Sequence, residues 1–282
     1  MTRPAWKMRY ATHLGLLAPD APMFRHSARS VGVEEQIAYL AGIGFAGVQD
    51  NFLKLRSVDE QERIGRAAAQ QGLEIGSFNN NPLSWDQPLW SGTDDDSRTR
   101  LERDLSESIA VAQRTGARRA VCVTGRDPAR SQREQVRAMA ANLARFADAA
   151  ARTDIILQVE PVTSTRFPQL LVNSLADALE IVAAVDHPAV RLQFDIAHVA
   201  EQDGAAFDRL RECWPLVGLV QAADLPGRID LGAGTLDWPP ILRWIRAQGY
   251  AGLIELEHLP REDSAQGEQR LLERLRAVDD AI

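Results

Sequence analysis

Eight times along the chain, a short run of about five to seven apolar-rich residues gives way to a longer segment with helical spacing. This alternation narrows the available folds more than any other feature. The runs are RYATHLG (9–15), FAGVQD (45–50), LEIGSFN (73–79), RAVCVTG (119–125), IILQVEP (155–161), VRLQFDI (190–196), VGLVQAAD (217–224) and GLIELEH (252–258). The helical segments lie at 33–43, 60–71, 98–115, 132–152, 174–185, 205–214, 240–248 and 266–279. Strands that alternate with helices in this way pair in parallel, because each helix carries the chain back to start the next strand. Eight repeats is the number that closes a (β/α)8 TIM barrel, and 282 residues suit one. The expected fold class is therefore α/β, a (β/α)8 TIM barrel, as a single domain over 1–282. No run leads at once into a GxGxxG turn, which weakens an open dinucleotide-binding sheet.

Composition excludes some functions. With 32 basic and 39 acidic residues, the net charge is −7. That balance argues against a nucleic-acid or anionic-membrane partner. Cys122 and Cys213 form no CxxC and no Cys/His cluster, so neither a disulfide framework nor a structural zinc site is expected. Cys122, inside an apolar run, reads as a small buried hydrophobe. No stretch approaches the ~18 apolar residues of a membrane span, and the N-terminal segment lacks a signal-peptide pattern. A cytoplasmic protein with a small-molecule substrate is expected, with no nucleic-acid or membrane partner. Self-association into a homo-oligomer stays open.

The late strands carry the chemistry. In a strand, residues two apart point the same way. Gln158 and Glu160 share one side of the fifth run, Gln193 and Asp195 of the sixth, and Glu255 and Glu257 of the eighth; Gln221 sits near the end of the seventh. In each run the last polar residue lies at the C-terminal end, where a barrel places its catalytic face. Glu160, Asp195, Gln221 and Glu257 would then project oxygen-bearing groups at one level. Three carboxylates at one depth repel one another, and a shared cation removes the repulsion. Oxygen donors without cysteine point to a hard divalent metal, Mg²⁺ or Mn²⁺. Any one of these residues alone reads as readily as a solvated strand end; four in phase on consecutive strands do not. Glu255, one layer deeper, needs a polar partner or a proton.

Substrate-binding candidates lie nearby. His198 follows Asp195 by three, just past its strand. His13 ends the first strand. Arg166 and Arg228 lie on the loops after the fifth and seventh strands, where an arginine can hold a hydroxyl or carboxylate. His258 has the opposite phase to Glu257 and should pack away from it. Phe78, Trp85 and Trp90 could wall a small pocket, although core packing is the commoner fate of such aromatics.

The segments VEPVTSTRFPQLLVNS, LQFDIAHV, VQAADLPGR and IELEHLP, together with FNNNPLSW, resemble the blocks of hydroxypyruvate isomerase-like proteins. These belong to the xylose isomerase-like TIM-barrel superfamily of sugar isomerases and epimerases. The resemblance implies metal ligands at Glu160, Asp195, Gln221 and Glu257, catalytic acid/base glutamates at Glu160 and Glu257, and substrate contacts at His198 and Arg228. It implies an isomerase that moves a proton next to a carbonyl, through an enediolate, on a small hydroxy-carbonyl compound. Departures fall in the loops. Gln49 stands where the family has Glu, and Ile229, Asp230, Leu231, Ala233 and Thr235 break the family's strand-seven block. Rival readings are a ketose 3-epimerase, a dehydratase or lyase on the same scaffold, a repair endonuclease, and a non-catalytic sugar-binding barrel. The endonuclease needs a His-rich zinc cluster and a basic face, which five histidines and a charge of −7 do not supply.

Overall fold

The computed structural model describes residues 5–282. Each of the eight expected strands is present, trimmed to a short segment. They are β1 (Tyr10–His13), β2 (Gly47–Gln49), β3 (Glu74–Ile75), β4 (Ser77–Asn79), β5 (Arg119–Val121), β6 (Ile156–Val159), β7 (Val190–Asp195), β8 (Val217–Ala222) and β9 (Ile254–Leu256). The ninth label arises because the third run is interrupted at Gly76. Strand order in the sheet is β3-β2-β1-β9-β8-β7-β6-β5-β4. The pairings are parallel, with Glu74 set against Gly47 and Ser77 against Arg119. The first and last strands of that order are the two halves of one run, joined through Gly76. This is the connectivity of a (β/α)8 TIM barrel.

The helices are α1 (Val33–Gly42), α2 (Val58–Gln71), α3 (Asp95–Thr115), α4 (Gln132–Arg152), α5 (Leu175–Val185), α6 (Ile196–Asp203), α7 (Ala206–Cys213), α8 (Trp238–Ala247) and α9 (Ala265–Asp280). Their starts follow from side-chain chemistry. Ser57 and Ser131 each close a capping box, with Glu60 and Glu134 reaching back to the cap. Ser174 accepts from Asp177 N–H, as its position before an apolar helical stripe predicts. The sequence reading missed α6. Asp195 ends β7 and is also the N-cap of α6, accepting from His198 N–H at 2.9 Å. A strand that passes into a helix within one residue leaves no loop signature between the two.

The chain forms two compact units. The first runs to Phe52 and takes in Arg56–Gly76 and Val220–Ile282; the second comprises Leu53–Leu55 and Ser77–Leu219. In the first, α9 anchors the N-terminal segment through Asp279, whose carboxylate accepts from Lys7 N–H, Met8 N–H and Tyr10 O–H. In the second, Leu157, Val190, Leu192 and Phe194 are fully buried. The buried faces of α4 and α5, including Met139, Leu143, Ala178 and Ile181, lie in the same unit. Cys122 and Cys213 are buried free thiols, and burial pushes both upward in pKa. No described helix is long and apolar enough to cross a membrane.

Gly76 does more than interrupt a strand. A Cβ on it would lie 2.3 Å from Glu255 Oε1, and Glu255 is fully buried. The missing side chain is the space that the carboxylate occupies. Gly76→Ala should therefore lower stability by roughly 1–3 kcal/mol, the usual cost of overpacking, read as a lower urea midpoint at unchanged slope.

Candidate active site

In the second unit, the sequence-predicted residues Glu160 and Asp195 come together with His198. Glu160 follows β6 directly, Asp195 closes β7, and His198 lies in the first turn of α6. All three are buried, Asp195 completely. Each offers one ligand atom, and these atoms lie within 4.8 Å of one another. His198 Nε2 is 4.0 Å from Glu160 Oε1. Two carboxylates and an imidazole at that spacing, with no thiolate, suit a hard or borderline divalent cation. His198 was expected only as a substrate contact. Its membership of the donor cluster follows from α6, which the sequence reading did not resolve. Arg166 takes no part in these contacts; about a third exposed, it lies 3.9 Å from Glu201. Phe78 and Trp90 are fully buried core residues, and Trp90 Nε1 donates to Asn81 Oδ1 at 3.2 Å. Trp85 packs edge-on against Phe167, with ring centroids 5.5 Å apart.

In the first unit, Glu257 gathers hydrogen-bond donors. Its Oε1 accepts from Gln49 Nε2 at 3.0 Å, Gln221 Nε2 at 3.2 Å and Asn51 Nδ2 at 3.4 Å. Its Oε2 accepts from Arg228 Nη2 at 2.7 Å. Gln221 also donates to Glu255 Oε2 at 3.2 Å, which supplies the deeper glutamate with the polar partner it needed. One amide thus reaches both carboxylates, as the two-residue phase on β9 predicts. Sequence reasoning alone does not single out Gln49 or Asn51 as partners of Glu257. The available signal was Gln49, an uncharged residue where the resemblance implies a carboxylate.

His13 and His258 lie side by side in the first unit. His13 is buried and donates from Nε2 to His258 O at 2.9 Å. His258 is buried, with Nδ1 3.9 Å from Asp230. Asp230, raised in pKa chiefly by burial, accepts from Arg274 at 2.6 Å and from Arg261 N–H at 3.1 Å.

The family model described as xylose isomerase-like TIM barrel matches residues 37–276. The chain belongs to this family. A Homo sapiens protein provisionally named as a hydroxypyruvate isomerase is 26% identical over 268 residues, 92% of each chain. The 2-oxo-tetronate isomerase of Cupriavidus necator is 28% identical over 202 residues, 70% of this chain and 76% of its own. Among solved structures, one titled AP endonuclease, family 2, from Brucella melitensis superposes with a TM-score of 0.77 at 22% identity, over 92% of this chain and 96% of the other. An L-ribulose 3-epimerase superposes with a TM-score of 0.76 at 22% identity, over 97% and 95%. These likenesses agree with the fold reached from the strand order.

His13 yields a pH prediction. Burial lowers its pKa from 6.5 to about 4, with the charge of His258 acting in the same direction and the hydrogen bond to the His258 carbonyl opposing. Between those two values the unfolded chain binds a proton that the folded chain refuses. The stabilising effect is therefore complete above pH 6.5 and fades as pH falls toward 4. His13→Gln keeps an N–H donor and loses this dependence. From pH 7 to 4.5, wild type should lose about 2 kcal/mol more than the variant, measured by urea unfolding at both pH values.

Proposed function

We propose that this chain, acting as one domain over 1–282, is a divalent-cation-dependent isomerase of a small hydroxy-carbonyl compound, a hydroxypyruvate-like acid or a short ketose. The observation that carries the reading is the buried group of Glu160, Asp195 and His198, with ligand atoms within 4.8 Å of one another. Two buried carboxylates at that separation raise each other's cost of ionisation, and a cation between them removes it. Glu160 and Asp195, with Gln221 and Glu257 from the strands that follow, would hold Mg²⁺ or Mn²⁺, and His198 completes or flanks that set. When bound, the cation supplies positive charge that polarises a carbonyl oxygen and offsets the negative charge that develops as a proton leaves the neighbouring carbon.

The chain's own residues do the rest. Glu160 and Glu257 form the proton-transferring pair: one carboxylate removes the carbon-bound proton, and the other returns a proton to the adjacent carbon. Arg228 and His198 bind the substrate's oxygens; Arg166 and His13 are weaker candidates for that role. Gln49, Asn51 and Gln221 hold Glu257 with their amides, so the carboxylate meets its substrate in one orientation. The names of the human and Cupriavidus necator relatives support a short hydroxy-carbonyl acid as substrate. The epimerase structure supports a second reading on the same residues, in which the proton returns to the opposite face of the same carbon. A cytoplasmic setting is proposed with the reaction.

A panel of short hydroxy-carbonyl acids and free ketoses, incubated with Mg²⁺ or Mn²⁺ in D₂O and followed by NMR, tests the reading. Deuterium appearing at the carbon beside the carbonyl, together with isomerised product, is the expected result. Chelation should abolish turnover, and added metal should restore it. Glu160→Gln and Glu257→Gln should each lower kcat by about 10²-fold or more, the usual share of general acid–base catalysis. Near-normal turnover of either variant, or turnover indifferent to chelator, would sink the assignment.

A further inference from the structure

The loop that carries Arg228 is organised by one side chain. Asp224, fully buried, follows β8 by two residues. Its Oδ1 accepts from Leu225 N–H at 2.8 Å and Leu236 N–H at 3.0 Å. Its Oδ2 accepts from Gly232 N–H at 2.9 Å and Gly234 N–H at 3.0 Å. Four backbone donors from both limbs of a twelve-residue excursion thus end on one carboxylate. Two backbone hydrogen bonds between Asp224 and Ile229, at 2.8 and 2.9 Å, close the inner turn. The packing leaves no slack, since a Cβ on Gly234 would lie 2.1 Å from Leu225 O and 2.5 Å from Asp224 Oδ1.

Arg228 sits at the tip of that inner turn with φ 58°, in the left-handed region. A non-glycine residue stays there only when its surroundings impose the conformation. From this backbone the guanidinium donates to Glu257 Oε2 at 2.7 Å and to Glu257 O at 2.8 Å.

We propose that Asp224 is a positioning residue for the reaction: by collecting the four N–H groups it fixes the turn that holds Arg228 against Glu257. Both carboxylate oxygens of Asp224 are taken up by backbone N–H groups. The inference rests on the proposed isomerase reading only for the role of Arg228 in turnover; the placement of Arg228 stands apart from it. The chemistry demands aspartate at this place. A carboxylate accepts at both oxygens, whereas asparagine would turn an amide N–H₂ toward two backbone N–H groups, and glutamate is a methylene too long.

The test is a double-mutant cycle on the full chain with Asp224→Asn, Arg228→Ala and the pair, and with Gly234→Ala as an independent way to open the loop. Each single change should lower kcat/KM by about tenfold or more, and the double variant should be no worse than Arg228→Ala within about threefold, because Asp224 acts through Arg228. Amide hydrogen exchange at Leu225, Gly232, Gly234 and Leu236 should quicken in Asp224→Asn, while Ile254 and Leu256 on β9 stay protected. The ¹⁵N side-chain resonances of Arg228, slowed by the Glu257 contact in wild type, should lose that slowing in Asp224→Asn and in Gly234→Ala. Losses that multiply in the double variant overturn the proposal, as do unchanged exchange at the four amides or an unaltered Arg228 signal. If Asp224→Asn does not fold, Gly234→Ala carries the cycle and the spectra. If wild type turns over nothing in the panel, the isomerase reading falls, and the exchange and Arg228 measurements still decide the positioning claim.

Discussion

A carboxylate removed from water must find donors or a cation, or take up a proton, and that requirement shapes both units of this protein. In the first unit, Glu257 is met by amides from Gln49, Asn51 and Gln221 and by the guanidinium of Arg228. In the second, Asp195 uses one oxygen to cap α6 and shares a tight space with Glu160 and His198. The donors of the first unit are neutral amides with one fixed cation. The second brings ligand atoms of two carboxylates and an imidazole within 4.8 Å of one another, a spacing that could hold a metal ion.

The same constraint explains features remote from chemistry. Glu255 stays in the interior because Gln221 donates to it and because Gly76 vacates the volume its carboxylate fills. Asp224, Asp230 and Asp279 are each buried beside backbone N–H groups or an arginine, and each ties a loop or terminus to the framework. These buried acids act as fasteners. A fully buried aspartate therefore says little about catalysis until its partners are known.

Period-two phase made the strand ends legible. Glu160, Asp195, Gln221 and Glu257 stand out in the sequence because the residue two before each one shares its direction, and because barrel strands present their C-terminal ends to the active face. Helix starts were legible at Ser174, where a capping oxygen precedes an apolar stripe. The contacts through loops were not. His198 was placed beyond a strand, although it lies in a helix capped by the very aspartate three residues before it. Asp224 left no periodic trace, because its partners are backbone N–H groups up to twelve residues away, and the donors' residue types carry no information about that bond. Asn51 and Gln49 escaped for a related reason: their partner, Glu257, is more than two hundred residues distant, and only folding brings the three together.

Gln49 shows how a neutral side chain can meet a carboxylate. Its Nε2 lies 3.0 Å from Glu257 Oε1. A glutamate at that place would set a second carboxylate against Glu257, and one of the two would need a proton or a cation of its own. The amide instead donates, and it divides its N–H₂ between Glu257 and Asn51 Oδ1 at 3.1 Å. With Gln221 on the same oxygen and Arg228 on the other, donors on both oxygens hold the carboxylate in one orientation. The segment from Ile229 to Thr235 follows the same logic of matched partners. Asp230, buried in the loop, pairs with the half-buried Arg274, while Asp224 makes its four backbone bonds around the same segment. Residues of this segment other than Asp224 can therefore vary while the four bonds that shape the turn carrying Arg228 persist.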